Sequence, residues 1–219
     1  MLLQAKNVEF TLKSTIFDRP RQLTLTPDYL EFDDNDLAGS TPTRFLKEEM
    51  ESLRYGIKPI RGYRFIIGWT FCIDIKSTTG RLIKLRLKSI YRVRRQLLAN
   101  KYGTVRNALF QYYFHDITRQ YLKLFQDDQP FEILGVSINS DGVLFDKKVG
   151  RISWDYVGTR RYRTYFTLVA ESDPSQYKAF MPLHDWNAGA LYGVIQLILN
   201  IKFPKRKIPD PLTDPSAGS

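Results

Sequence analysis

Apolar and polar residues alternate through most of the first ninety residues, a pattern typical of strands that bury one face. The alternating segments are 8–12, 23–26, 29–32 and 82–87. Polar clusters at 33–36 and 77–80 interrupt the alternation and predict turns. The first part of the chain is therefore predicted to be a β-meander.

The apolar period then lengthens, and beyond Gly103 it predicts one amphipathic helix of about twenty residues. The apolar stripe of this helix consists of Val105, Leu109, Tyr112, Ile117, Tyr121 and Leu124. A polar cluster at 126–129, followed by Pro130, ends the helix and marks the boundary between two halves of the chain.

The same plan returns after Pro130. Residues 136–146 correspond to 23–33 as strand, tight turn and strand, and residues 151–162 correspond to 45–56. Strands at 166–170 and 177–181 match the pair around the 77–80 turn. A second helix follows, with a stripe of Leu191, Val194, Ile195, Ile198 and Leu199. This internal duplication predicts two related domains.

Six or seven short antiparallel strands followed by one amphipathic helix is the element order of pleckstrin-homology (PH) domains. The chain resembles bacterial PH-domain-like proteins over about residues 5–201, in the hairpins ending at Phe32 and Phe145, in segment 152–157 and in the closing helices. The resemblance implies a mainly β, α+β fold of two tandem PH-like barrels, each of six to seven strands closed by its C-terminal helix. A split β-sandwich or a single α+β domain is the alternative.

The predicted domains are residues 1–128, including the long helix, and 129–203, with a flexible tail at 204–219. A chain of 219 residues with 43% hydrophobic and 14% aromatic residues has enough apolar material for two cores.

The single cysteine, Cys72, lies in the apolar run 65–73 and is expected to be buried. Neither a signal peptide nor an apolar run of about 18 residues is evident, so a cytoplasmic location is expected.

Motifs for catalysis or metal binding are missing. His115 and His184 each precede an aspartate without further ligands at metal-binding spacing. The acidic run 33–36 lacks the glycine and glutamate of a calcium loop, and the chain has no Gly-rich phosphate loop. The carboxylates of Glu48, Glu49 and Glu51 have no assignable partner. We therefore expect a protein that is not an enzyme and that has neither metal nor cofactor.

Charge is the most pronounced bias of the chain, with 33 Lys and Arg against 23 Asp and Glu and a net charge of +10. Residues 75–115 contain ten basic residues and no acidic one. Lys84, Arg86 and Lys88 alternate with apolar residues and are expected to share the outer face of a strand. Together with Arg92, Arg94 and Arg95 they form the first candidate contact with an anionic membrane or an acidic partner.

Two smaller basic groups follow: residues 160–163, and a tail group of Lys202, Lys205, Arg206 and Lys207. The PH resemblance also implies a second anion site, because Lys13, Arg19 and Arg21 have a spacing similar to that of inositol-phosphate sites. The equivalent stretch of the second half, 139–142, has no such cations. An ordinary solvated face is the alternative explanation of all these charges.

The predicted function is that of a non-catalytic binding or scaffold protein, which mediates protein–protein interaction and docks peripherally on anionic membrane. A nucleic-acid-binding protein is the alternative, because aromatic residues stand among cations. The candidate stacking residues are Tyr91, Tyr102, Tyr162 and Tyr165. Cross-strand packing would explain the same aromatic residues.

Overall fold

A computed structural model describes residues 7–13, 19–34 and 41–204. The chain forms two compact units, residues 1–114 and 115–219. Each unit contains a four-stranded antiparallel meander, a short 3-10 turn, a three-stranded antiparallel meander and a helix, in that order. The predicted mainly β, α+β class is confirmed. None of the four sheets, as far as the described residues show, closes into a barrel.

The first sheet of unit 1 contains β1 (Val8–Leu12), β2 (Arg21–Leu25), β3 (Tyr29–Phe32) and β4 (Thr43–Leu46). The 3-10 turn Lys47–Glu49 leads into the second sheet, which contains β5 (Met50–Arg61), β6 (Ile66–Ser77) and β7 (Leu82–Ile90). Helix α1 (Arg95–Leu109) and a π-helical turn, Phe110–Phe114, complete the unit.

The second sheet of unit 1 has one apolar and one polar face, as alternation requires. On β7 the side chains of Ile83, Leu85 and Leu87 are buried, while those of Lys84 and Lys88 are exposed. The helical segment covers the apolar face, since the Tyr102 ring lies 5.4 Å from Phe71 and the Phe110 ring 5.5 Å from Tyr55. Lys84 and Lys88 therefore lie outside the apolar face that the helical segment covers.

The first helix begins earlier than the sequence predicts, at Arg95 instead of after Gly103. Gly103 lies inside the helix with open space around its Cα, so its only cost is the helical propensity of glycine, about 1 kcal/mol. The π-helical turn inserts an extra residue and shifts the buried stripe. Tyr113 and Phe114 are buried there, while Tyr112 is only half-buried.

The hydroxyl of Tyr113 anchors the end of the helical segment to the first sheet. It lies 2.6 Å from the carbonyl oxygen of Thr26 and 2.7 Å from that of Tyr29, and its proton is donated to these acceptors. Burial raises the pKa of Tyr113 well above its ordinary value. The phenol therefore acts as a neutral donor that satisfies the β2–β3 turn.

Unit 2 begins with helix α2 (His115–Gln126) and a first sheet of β8 (Phe131–Ile133), β9 (Val136–Ile138), β10 (Gly142–Leu144) and β11 (Ile152–Ser153). The 3-10 turn Trp154–Tyr156 leads to β12 (Val157–Arg161), β13 (Phe166–Ala170) and β14 (Asp173–Phe180). Helix α3 (Ala188–Lys202) completes the unit.

The core of unit 2 includes the predicted stripe of α3, in which Leu191, Val194, Ile195 and Ile198 have no exposed surface. Helix α2 packs against this core, since the ring of Phe125 lies 5.6 Å from that of Trp154. The compact units consequently divide inside the helical stretch, after Phe114, whereas the sequence-based boundary follows Asp128. The basic tail residues Lys205, Arg206 and Lys207, and the predicted flexible tail beyond Pro204, lie outside the described residues.

In one place, the two halves of the chain correspond in the structure with a shift of one residue from the correspondence predicted by the sequence. The alignment places Trp154 opposite Glu48, but the two 3-10 turns place it opposite Lys47, the first residue of the first turn. Each turn begins two residues after a buried strand residue, Phe45 or Ile152. Burial of Phe45 and Ile152 thus corrects the predicted correspondence by one residue at this point.

Candidate functional site

Two turns of unit 1 meet at one end of its second sheet. Residues 62–65 connect β5 to β6, and residues 91–94 connect β7 to α1. The backbone N–H of Tyr91 donates a 2.7 Å hydrogen bond to the carbonyl of Ile67. A Cβ on Gly68 would lie 2.2 Å from the carbonyl oxygen of Ser89, so this close approach requires glycine. We call residues 61–66 and 90–97 together the sheet tip.

Large apolar side chains are exposed at the sheet tip. Tyr63 is 95% exposed, Phe65 65% and Tyr91 72%. The full set is Tyr63, Phe65, Ile66, Ile90, Tyr91, Val93 and Leu97, seven of the fourteen exposed large apolar residues in the described part of the chain. Clustered apolar exposure of this kind marks an interaction surface.

Sequence reasoning missed these residues because 65–73 is one apolar run, which reads as a buried strand. In the structure only the later part of this run is buried, from Phe71 onwards, apart from Gly68. A usable signal was the tetrad Gly62, Tyr63, Arg64 and Phe65, where a turn residue and a cation interrupt the aromatic residues.

The turn between β7 and α1 has a strained backbone. Tyr91, Arg92 and Arg94 have φ values of 50°, 62° and 56°, in the left-handed region that costs a non-glycine residue about 1 kcal/mol or more. The Ser89 hydroxyl donates to the carbonyl of Val93 at 3.0 Å and helps to hold the turn. The conformation exposes Tyr91 and Val93, together with the cations Arg92 and Arg94.

The positive charge of the protein is concentrated in the segment that builds this sheet and α1. Between Glu51 and Asp116 there are fourteen Lys and Arg and a single acidic residue, Asp74. The remaining 19 basic and 22 acidic residues leave the rest of the chain slightly negative. The net charge of +10 is therefore a property of this segment and not of the whole chain.

The one acidic residue of the segment is buried and paired. Asp74 is 4% exposed, accepts a 2.9 Å hydrogen bond from Nε of Arg54, and forms a second ion pair with Arg86. The contact with Arg86 is a charge contact at Asp74 Oδ1 without an aligned hydrogen bond. Arg86 also donates to the carbonyl of Leu85 at 2.8 Å.

The six cations of the first candidate site thus differ in exposure and in their partners. Arg86 neutralises Asp74 and is half-buried, while Lys84 and Lys88 on the same strand are exposed. Arg92 and Arg94 are exposed in the strained turn. Arg95 is half-buried in the first turn of α1, with its guanidinium 5.9 Å from the centre of the Trp69 ring. Additional cations of the sheet tip are Arg61 and Arg64, both exposed.

The second candidate site is not assembled as a group of available cations. Arg19 forms a two-pronged ion pair with Asp33, at 2.7 and 2.8 Å, and this pair lowers the pKa of Asp33. Arg21 donates to the carbonyl of Asp34 at 2.8 Å. Lys13 is exposed and lines a cavity together with residues of β7 and α1.

This cavity, of about 510 Å³, lies between β1, the end of β7 and the start of α1, all within unit 1. Its cations are Lys13, Lys88, Arg94 and Lys101. Its apolar lining includes Ile90, Val93, Leu97 and Leu98. Nζ of Lys101 donates to the carbonyl of Thr11 at 2.9 Å, which joins α1 to β1 at this cavity.

Three of the four tyrosines considered for base stacking already contact another aromatic ring in the structure. Tyr102 is buried against Phe71, and Tyr162 stacks on Tyr165 with ring centres 4.5 Å apart. Tyr91, which precedes Arg92, is 72% exposed, and Tyr162, between Arg161 and Arg163, is 45% exposed. This distribution gives no continuous platform for a nucleic-acid strand.

Within the described residues, no group of three or more His, Cys, Asp and Glu side chains could hold a metal ion. Cys72 is buried, and burial raises the pKa of its thiol, which makes it a weak nucleophile.

In residues 7–13, 19–34 and 41–204, no helix has both the length and the apolar composition needed to cross a membrane. Comparison of the chain with protein-family models, with curated proteins and with solved structures gave no match. The geometry and charge of unit 1 are therefore the basis for a functional proposal.

Proposed function

We propose that this protein is a non-catalytic binding protein that docks peripherally on anionic membrane through the sheet tip of unit 1. The main observation in support is that two adjacent turns expose aromatic and aliphatic side chains. The segment that contains them has fourteen Lys and Arg and one acidic residue, which is buried and paired. Apolar groups ringed by cations match the boundary between phosphate headgroups and acyl chains.

The expected binding free energies support reversible docking. Arg61, Arg64, Arg92 and Arg94 would each contribute about 1 kcal/mol near an anionic leaflet. Partial burial of Tyr63, Phe65 and Tyr91 would add a comparable sum, at about 25 cal/mol per Å² of apolar surface. A total of about 8 kcal/mol corresponds to micromolar affinity. Salt would weaken the first contribution and leave the second.

The order of elements supports a further proposal about fold relationship. Each unit has a four-stranded meander, then a three-stranded meander, then a helix, which is the order of the PH-like fold. Tandem PH-like modules would give the chain a second unit free for another partner. Scaffolding between a membrane and a protein is the role that this arrangement favours.

Cosedimentation with vesicles tests the docking proposal. We expect retention on anionic vesicles at low salt, weaker retention at moderate salt and none on neutral vesicles. The double variant Tyr63→Ser, Phe65→Ser and the double variant Arg61→Gln, Arg92→Gln should each lose most of the retention. Matched controls in unit 2 are Tyr177→Ser, which removes an exposed ring, and Lys147→Gln, which removes an exposed cation.

Equal losses in the sheet-tip variants and the unit 2 controls would overturn the assignment of the surface. Absence of retention at low salt would overturn membrane docking itself and leave protein–protein interaction as the leading function. Binding to oligonucleotides that exceeds vesicle binding, with a steep salt dependence, would favour the nucleic-acid alternative.

A further inference from the structure

Four cations and several apolar side chains line the cavity beside the sheet tip. Its cations come from three elements: Lys13 follows β1, Lys88 lies on β7, and Arg94 and Lys101 belong to the start of α1 and its first turns. No acidic side chain of the described residues lines it. None of Lys13, Lys88 and Arg94 takes part in an ion pair within that part of the chain.

The walls of this cavity are fixed by hydrogen bonds on both sides. The bond from Lys101 to Thr11 joins α1 to β1, and the bond from Ser89 to Val93 holds the end of β7 to the following turn. The first turn of α1 is closed by the N–H of Leu98, which donates to the carbonyl of Arg94 at 2.9 Å. A pocket of this kind is formed before its ligand arrives, which reduces the entropic cost of binding.

The lining defines the chemistry of the ligand. A volume of about 510 Å³ is more than a phosphate ion needs and falls within the range of small-molecule sites. Ile90, Val93 and Leu97 offer an apolar wall, while Lys13, Lys88, Arg94 and Lys101 line the same cavity. An amphipathic anion, with a charged head and an apolar body, fits both parts of the lining.

We infer that this cavity binds the headgroup of one phosphomonoester lipid from the membrane on which the sheet tip docks. The phosphate contacts Lys13, Lys88 and Arg94, and the glycerol with the first part of the acyl chains lies against Ile90 and Leu97. This inference rests on the proposed docking function and names its lipid class. It differs from the predicted site of Lys13, Arg19 and Arg21, because Arg19 is neutralised by Asp33.

Charge favours a monoester over a diester. A phosphomonoester carries about −1.5 to −2 charges at neutral pH and three strong acceptor oxygens. A phosphodiester carries a single charge and has fewer free oxygens, so it satisfies fewer cations of the pocket. General attraction of the basic segment to an anionic surface does not distinguish the two headgroups, whereas a pocket lined by several cations does.

The experiment compares vesicles of phosphatidic acid and of phosphatidylglycerol in a neutral lipid background, at matched surface charge. We expect about tenfold tighter binding to phosphatidic acid, the effect of about one additional charge-assisted contact. Lys13→Gln and Lys88→Gln should abolish this preference and leave salt-sensitive binding to phosphatidylglycerol. The matched control Lys84→Gln removes an exposed cation from the same strand as Lys88, outside the cavity lining, and should keep the preference.

The outcomes separate the two proposals. Equal affinity for the two lipids would overturn the pocket inference and leave membrane docking intact. If neither vesicle binds, docking fails, and titration with short-chain, monomeric phosphatidic acid then tests the pocket by itself. Saturable binding that requires Lys88 would support the pocket, and no binding would overturn it. Binding of glycerol phosphate or inorganic phosphate as strong as that of the short-chain lipid would overturn the assignment to a lipid.

Discussion

The backbone N–H of Tyr91 donates a 2.7 Å hydrogen bond to the carbonyl of Ile67, and this bond connects the end of β7 to the start of β6. Two turns that are far apart in sequence therefore present their apolar side chains on one surface. The pairing of Gly68 with Ile90 extends the strand contact to the same point.

The close approach at Gly68 leads to a prediction about stability. Gly68→Ala should destabilise the protein by about 2 kcal/mol or more, because its Cβ would meet a backbone oxygen and the strands would have to separate. Gly103→Ala is the control, since its Cβ meets open space in a helix, and it should stabilise by about 0.5–1 kcal/mol. Urea denaturation measures both, and equal effects would contradict the described strand contact.

The strained turn predicts a conflict between stability and docking. Arg92→Gly should stabilise the protein by about 1 kcal/mol, because glycine adopts the left-handed conformation of Arg92 without a penalty. The same variant should weaken retention on anionic vesicles about fivefold, through loss of one cation.

Arg92→Gln separates these two effects. It removes the charge and keeps a side chain in the left-handed region, so it should weaken docking to the same extent without the gain in stability. A stability gain in both variants would show that the turn is not strained at this position.

The buried carboxylate of Asp74 predicts which cation of β7 is structural. Arg86→Gln should cost about 1–3 kcal/mol, because the buried Asp74 would then keep Arg54 alone as a charged partner among the described residues. Lys84→Gln, on the same strand but exposed, should change stability by less than about 0.5 kcal/mol. Thermal or urea unfolding measures the stability of both variants. A loss of stability in Lys84→Gln as large as that in Arg86→Gln would contradict the structural role assigned to Arg86.

Tyr113 predicts a loss of stability at alkaline pH. Because burial raises its folded-state pKa above the ordinary value of 10.0, the unfolded protein releases this proton more readily. Its contribution is complete below about pH 10 and decreases as the pH rises beyond that value. Tyr113→Phe should cost about 1–2 kcal/mol at neutral pH by removing the phenol donor from the carbonyl of Thr26, while the carbonyl of Tyr29 keeps the N–H and hydroxyl of Thr26 as donors.

The alkaline part of this prediction is measured as a difference. The gap in unfolding free energy between wild type and Tyr113→Phe should narrow as the pH rises above about 10. Tyr63→Phe, at a residue that is 95% exposed, should show no cost at neutral pH. A constant gap across the pH range would contradict the buried, hydrogen-bonded phenol.

The parts of the fold that were predictable are those with local periodicity. Strand Tyr29–Phe32 and the outward direction of Lys84 and Lys88 follow from alternation. The first helix was placed too late because Gly103 looks like a boundary, although helices tolerate a glycine at modest cost. The π-helical turn at Phe110–Phe114 leaves no periodic signal at all.

The candidate site was predictable only in its charge. Lys13, Lys88 and Arg94 do lie around one cavity, although the sequence assigns them to two separate sites. The partners that occupy Arg19 and Arg86 are distant in sequence or on another strand, so no local pattern reveals them. The exposed rings of Tyr63 and Phe65 were hidden because an apolar run gives no indication of where it leaves the core.

The central claim is that the sheet tip enters the surface of an anionic membrane, and a fluorophore at position 65 tests it most directly. The single cysteine, Cys72, is buried, so in a Cys72→Ala background a thiol-reactive, environment-sensitive dye labels Phe65→Cys alone. Tyr177→Cys in unit 2, where Tyr177 is also widely exposed, is the matched label position. The account predicts a blue shift and an intensity gain at position 65 on anionic vesicles, with little change at 177 and none on neutral vesicles. Equal responses at 65 and 177, or no response at 65 on vesicles that retain the protein, would contradict it.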